Sequence, residues 1–139
     1  MIFKGKVSWW FYAIIIGVAA LLIPIIIVSA FIDPNVVSLI LNLIMFIAIE
    51  LFSIAIALRN YVKLQNETLI IVFGFIKKKI SYNNIVALSS TNNPSSSLAA
   101  SLDRIEIKCK NQSNTMISLI NKEQFFNEIK KYNPNITIM

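Results

Sequence analysis

Few side chains in this sequence could do chemistry, and their types narrow what that chemistry could be. There is no histidine. That removes imidazole acid–base catalysis, Ser-His and Cys-His nucleophile pairs, and the commonest zinc and haem ligands. Cys109 is the single cysteine, so neither an internal disulfide nor a cysteine cluster can form. The three glycines, Gly5, Gly17 and Gly74, are too scattered for a phosphate-cradling loop. No catalytic residue, metal ligand or cofactor is expected.

Three groups of polar residues remain. Asp103, Arg104 and Glu106 follow a Ser/Asn-rich stretch at 89–101. An Arg–carboxylate pair there can fix a loop through bidentate geometry, with Asp103 capping the loop entry. The same charges could meet a ligand, but structural ion pairs outnumber sites, so the structural use is expected. Lys77-Lys78-Lys79 is the densest charge run. Near an anionic leaflet each lysine can be worth about 1 kcal/mol. On a strand only two of the three share a face, and such a run also guards a sheet edge against strand addition. Both uses stay open. Glu50 sits inside an apolar run, where an ionisable group costs a few kcal/mol and marks a functional hypothesis. Its expected partners are Ser53, Asn42, the first helix or a second copy. Packing or oligomerisation is expected over proton transport, because no second ionisable group continues a relay.

The elements that must position these residues follow from hydropathy. The chain has 139 residues, 56% hydrophobic and 14% charged, with a mean hydropathy of +0.68. An ordinary soluble domain carries about a quarter charged residues. Residues 9–31 hold no charge. As a helix they rise about 35 Å, enough for a hydrocarbon core of about 30 Å. Trp9, Trp10 and Tyr12 mark its interfacial end. A signal peptide is the competing reading, with Val28-Ser29-Ala30 resembling a cleavage site. The run exceeds the usual signal core of about 7–15 residues, so a retained span is expected. Residues 36–58 form a second run. Asp33 is expected to cap it, with Pro34 in its first turn. Pro24 is expected to bend the first helix. Ala13, Gly17 and Ala20 give that helix a small-residue face for close approach within the hairpin or between copies.

Orientation follows from Lys4 and Lys6 before the first run and Arg59 and Lys63 after the second. The connecting turn has no basic residue. The positive-inside rule then expects a multi-pass plasma-membrane protein with both termini cytoplasmic. The expected segments are a basic N-terminus at 1–8, spans at 9–31 and 36–58, and a cytoplasmic domain at 59–139.

After Leu58 the apolar runs shorten to strand length. Tyr61–Leu64, Thr68–Phe73, Phe75–Tyr82, Ile85–Leu88, Leu102–Lys110 and Thr115–Ile120 read as antiparallel strands with hairpin connections. In Leu102–Lys110, Ile105, Ile107 and Cys109 alternate with Arg104, Glu106, Lys108 and Lys110. Phe125, Phe126, Ile129 and Tyr132 form a helical stripe, opened by Asn121 and Gln124 as a capping box. Asn133-Pro134-Asn135 ends it, and residues 136–139 read as an extended tail. Six or seven strands and one C-terminal helix are expected.

Strands followed by one amphipathic helix suggest a pleckstrin-homology-like (PH-like) sandwich. The segment Ser101-Leu102-Asp103-Arg104-Ile105-Glu106-Ile107 and the ending Ile117-Ser118, Lys122, Phe125, Asn133-Pro134-Asn135-Ile136 resemble the bacterial PH-like family called YyaB-like. Its members carry an S-L-D-R-I-E-I strand, an I-S-P-K-D-K helix start and a closing N-P-N-I. The resemblance covers residues 60–138. The chain departs from it at 117–122, which lack the proline. The resemblance implies a link to bacteriocin immunity and no catalytic residues.

The expected fold is therefore a membrane α-helical hairpin plus a β-rich PH-like domain. The expected function is a non-catalytic module at the inner face of the plasma membrane, acting in bacteriocin immunity. The alternative is a protein- or anionic-lipid-binding scaffold that oligomerises through its hairpin. An enzyme or transporter centred on Glu50 is disfavoured. Expected partners are the lipid bilayer, a protein or peptide, and a second copy. Nucleic acid is not expected: the net charge of +6 is dispersed and no binding motif is present.

Overall fold

Apolar periodicity places two long helices first in the chain. The computed structural model describes residues 1–32, 35–94 and 98–139. Helices α1 (Trp9–Ile32) and α2 (Val36–Leu58) are both long and apolar enough to cross a membrane. No residue of α1 is buried, and only Ile56 of α2 is. These are therefore not core helices of the folded domain. Asp33 and Pro34 lie outside the described residues. The cap of α2 is instead Asn35, whose Oδ1 accepts from the Val37 amide at 3.0 Å.

The basic N-terminal segment, residues 1–8, is built into the domain. Ile2–Lys4 form strand β1, antiparallel to β2 (Asn60–Leu64), with Phe3 opposite Val62. The segment then crosses to the other side of the domain. The Gly5 amide donates to Asn60 O at 2.8 Å, Lys6 to Ser118 O at 3.0 Å and Ser8 to Ala100 O at 3.0 Å. The whole helical hairpin is thus inserted between two paired strands. Three residues are too short a strand for hydropathy to reveal, and Phe3 earns its place through a core contact distant in sequence.

The first sheet runs β1-β2-β3-β4, with β3 (Thr68–Phe73) and β4 (Ile76–Ser81) joined by Gly74-Phe75. Gly74 has φ +61°, the conformation that a two-residue hairpin with glycine first requires. A 3-10 turn, Tyr82–Asn84, leads to the second sheet. Its order is β7-β6-β5-β8, from β5 (Ile85–Thr91), β6 (Arg104–Cys109), β7 (Thr115–Ile117) and β8 (Thr137–Ile138). The expected tail is therefore a strand, and it pairs parallel to β5 while the other pairs are antiparallel. Eight strands are described, one or two more than expected. Strand β5 runs to Thr91, into the stretch expected as loop; residues 95–97 of that stretch lie outside the described residues.

The core lies between the sheets. Val62, Leu69, Ile71 and Ile80 meet Leu88, Ile105, Ile107 and Ile117. Helix α3 (Lys122–Tyr132) closes it with Phe125 and Ile129, four residues apart on one face. Phe3 packs edge-on against Phe125 at 5.5 Å. Asn121 does precede α3, but its side chain makes no capping bond, so the expected capping box is not formed. Cys109 is half-buried beside the core, and burial pushes its thiol pKa up.

The two interior glycines of the hairpin and turn have opposite roles. A Cβ on Gly17 would meet nothing within 4 Å, so the small-residue face does not seat the hairpin there. A Cβ on Gly74 would come within 2.9 Å of Ile56 Cγ1 and 3.3 Å of the Ile56 amide. Left-handed backbone also costs a non-glycine residue about 1–2 kcal/mol. Gly74→Ala should therefore lower the thermal midpoint of the full chain in detergent by about 5–10 °C, while Gly17→Ala leaves it unchanged.

Candidate functional site

Two surfaces gather the lysines that the sequence singles out, and both reach the region where the helices leave the sheets. The first is the outward face of β1-β2-β3-β4. Register fixes its rows. Ile2, Lys63, Ile70 and Lys79 lie side by side, as do Lys4, Tyr61, Val72 and Lys77. Lys4, Lys63, Lys77 and Lys79 are all exposed, and no acidic residue lies in either row. Ile70 and Val72 are buried despite facing outward; the lysine stems and the Tyr61 ring flank and cover them. The row with Lys4 and Lys77 is the nearer to the helices. Lys77 is two residues from Phe75, whose ring stacks on Phe52 of α2 at 6.2 Å.

The second surface is a groove of about 680 Å³ between α2, the β3–β4 hairpin and β7. Phe52 and Ile56 of α2 form one wall, and Phe73 and Ile76 of the hairpin another. Leu98 and Met116 close the far side, and Lys77, Lys78, Asn114 and Thr115 supply the polar rim. Strand alternation separates the three lysines: Lys77 and Lys79 point outward, whereas Lys78 points into this mouth. Its Nζ donates to Ser113 O at 3.1 Å, to Ser113 Oγ at 3.2 Å and to Thr115 Oγ1. All three acceptors are neutral, and among the described residues no carboxylate lines the groove. The Glu106 carboxylate nearby accepts from Asn114 Nδ2 at 3.2 Å. Sequence reading found the lysines but not the groove, because its walls come from residues 52, 73, 98 and 116.

The Ser101–Glu106 motif is a fastening. Arg104 is 5% exposed. It was expected to pair with an acidic side chain, but Nε donates to Ser101 O and Nη1 to Asn93 O, each at 2.7 Å. These bonds tie Asn93 and Ser101 to the start of β6. The acidic partner role belongs to Asp103, which takes Lys6 from the N-terminal segment at 2.8 Å and Lys122 from α3. These two lysine contacts hold the Asp103 carboxyl below the usual carboxylate range. Ser101 Oγ accepts from Ser8 Oγ at 2.7 Å, and Ser118 Oγ donates to Asp103 O at 2.7 Å. Leu102 is exposed and Ile105 fully buried. Asn133 Nδ2 donates to Tyr82 O at 3.0 Å, and Pro134 follows it in an exposed turn. Burial, with Tyr132 stacked at 4.7 Å, pushes the Tyr82 pKa up to about 12.

Of the polar residues in α2, Ser53 does not serve Glu50. Its Oγ returns to Ile49 O at 2.9 Å. Glu50 Oε1 is shielded and has no hydrogen-bond partner among the described residues. Among those residues, no group of three His, Cys, Asp or Glu side chains comes together to hold a metal ion.

A family model described as a bacterial PH domain matches residues 60–133. The chain belongs to this family. No curated protein and no solved structure matched it. In this bacterial PH domain the matched range runs from β2 to the end of α3, so β1 and the helical hairpin lie ahead of it.

Two outcomes test the fastening. Arg104→Met removes two charge-assisted bonds from a buried site and should cost about 3 kcal/mol by chemical denaturation. Asp103 has a lowered pKa in the folded state, so its contribution is present above the ordinary value of 3.8 and is lost as pH falls below it. Asp103→Asn should flatten the fall in thermal midpoint between pH 5 and the acid side of that value.

Proposed function

We propose that this protein is a membrane-anchored, non-catalytic PH-like module that binds the anionic inner leaflet through the outward face of its first sheet. In this reading α1 and α2 span the plasma membrane and both termini are cytoplasmic. The observation that carries it is the pair of rows with four exposed lysines and no acid, on a sheet whose β2 follows α2 after one residue and whose β1 precedes α1 by four.

Distance sets the order of the contacts. Tyr61 lies three residues past α2 and Lys77 two past Phe75, or about 7–10 Å along extended chain. That is about one Debye length at physiological salt. The row with Lys63 and Lys79 lies about 7 Å further out. Lys4 and Lys77 therefore gain most from the leaflet, each approaching about 1 kcal/mol, and Lys63 and Lys79 gain less. The narrower likeness to the YyaB-like group rests on residues 101–107, Ile117, Ser118, Lys122, Phe125 and residues 133–136, and the contacts these residues make serve the fold. The immunity role that this likeness implies gains no support from the geometry, and the leaflet reading does not depend on it.

Amine footprinting of the full chain in nanodiscs tests this. With phosphatidylglycerol, Lys4 and Lys77 should be modified several-fold more slowly than with phosphatidylcholine, and Lys63 and Lys79 less so. Lys130 on α3 serves as the reference, and added salt should erase the difference. Equal rates in the two lipids would refute the leaflet contact.

A further inference from the structure

Lys78 takes no part in the outward face, and the groove it borders has a chemistry of its own. The groove is apolar along Phe52, Ile56, Phe73 and Ile76 and basic at Lys77 and Lys78. Its α2 wall is continuous with the exposed apolar surface of that helix, where Phe52 is 43% and Leu51 57% exposed. An occupant must therefore present an apolar chain on the helix side and an anion on the strand side. Lys78 is half-buried and held by three neutral oxygens, so its charge is oriented but not neutralised.

We infer that this groove seats one anionic phospholipid, its acyl chain along Phe52 and Ile56 and its phosphate at Lys78. This inference rests on α2 crossing the membrane, but not on the sheet face contacting the leaflet. A phospholipid fits the two-ended chemistry where a free phosphate would leave the apolar wall uncovered. The site differs from general leaflet attraction in being stoichiometric and in depending on Lys78, which faces away from the outward rows.

Native mass spectrometry of the full chain in mild detergent, titrated with phosphatidylglycerol or phosphatidylcholine of identical chains, tests the site. Wild type should retain one phosphatidylglycerol at about tenfold lower concentration than phosphatidylcholine. The variant Lys78→Gln should lose that preference. Met116→Trp fills the groove without touching a charge, so it should weaken both lipids; it keeps the test valid if the lysine variant folds poorly. Lys63→Gln, Lys79→Gln alters only the outward face and should retain lipid as wild type does. Equal retention of the two lipids by wild type, or an equal loss in the Lys63/Lys79 variant, would overturn the groove site. The second outcome would leave the leaflet contact standing, so the two readings fail separately.

Discussion

The pairing of residues 2–4 with residues 61–63 is the constraint on which the rest depends. It places both ends of the helical hairpin on one sheet edge, so the helices leave the domain from a fixed position. The same segment reaches the other side of the sandwich through the Lys6, Ser8 and Ile120 backbone bonds. Phe3 then lies in the core against Phe125. Removing this strand would expose the edge of β2 and open a side of the core. The basic segment before the first helix is thus part of the domain it precedes.

Docking at the other end follows from that placement. With α2 held at Asn60, the β3–β4 hairpin rests against it: the Gly74 amide donates to Arg59 O at 2.8 Å, and Phe75 stacks on Phe52. Glycine at 74 is what lets the hairpin approach Ile56 so closely. The groove forms because the hairpin and β7 do not meet beyond this contact, and Lys78 bridges their edges through Ser113 and Thr115. Fold closure and the candidate binding surfaces therefore share the same few residues. The charged residues divide by partner. Asp103 and Arg104 are consumed in fastening loops and segments, whereas Lys4, Lys63, Lys77 and Lys79 stay exposed to solvent.

Much of this was legible from residue patterns. Long apolar runs gave both helices to within a residue, although Asn42 and Glu50 interrupt the second. The alternation in 104–109 gave a strand with Ile105 and Ile107 buried, although Arg104 on the opposite face is buried too, and of the stripe Phe125 and Ile129 are buried while Tyr132 is exposed. What escaped was set by distant contacts. Strand β1 has three residues and β8 two, too few for a period, and each exists because a long-range partner awaits it. Arg104 looked like one half of an ion pair because sequence carries charge but not carbonyl direction. Lys77 to Lys79 looked like one patch, and the pleat divided it between an outward face and a groove. Asp33 gave way as helix cap to Asn35, the residue directly before the first helical turn.

The most direct test of the central constraint is amide hydrogen exchange of the full chain in nanodiscs, read at Gly5, Lys6 and Ser8. These amides donate to Asn60, Ser118 and Ala100. If the N-terminal segment closes the sandwich, they exchange as slowly as the Leu64 amide of β2, which donates to Met1 O. Exchange of all three at the rate of an unstructured tail, with β3 still protected, would contradict it.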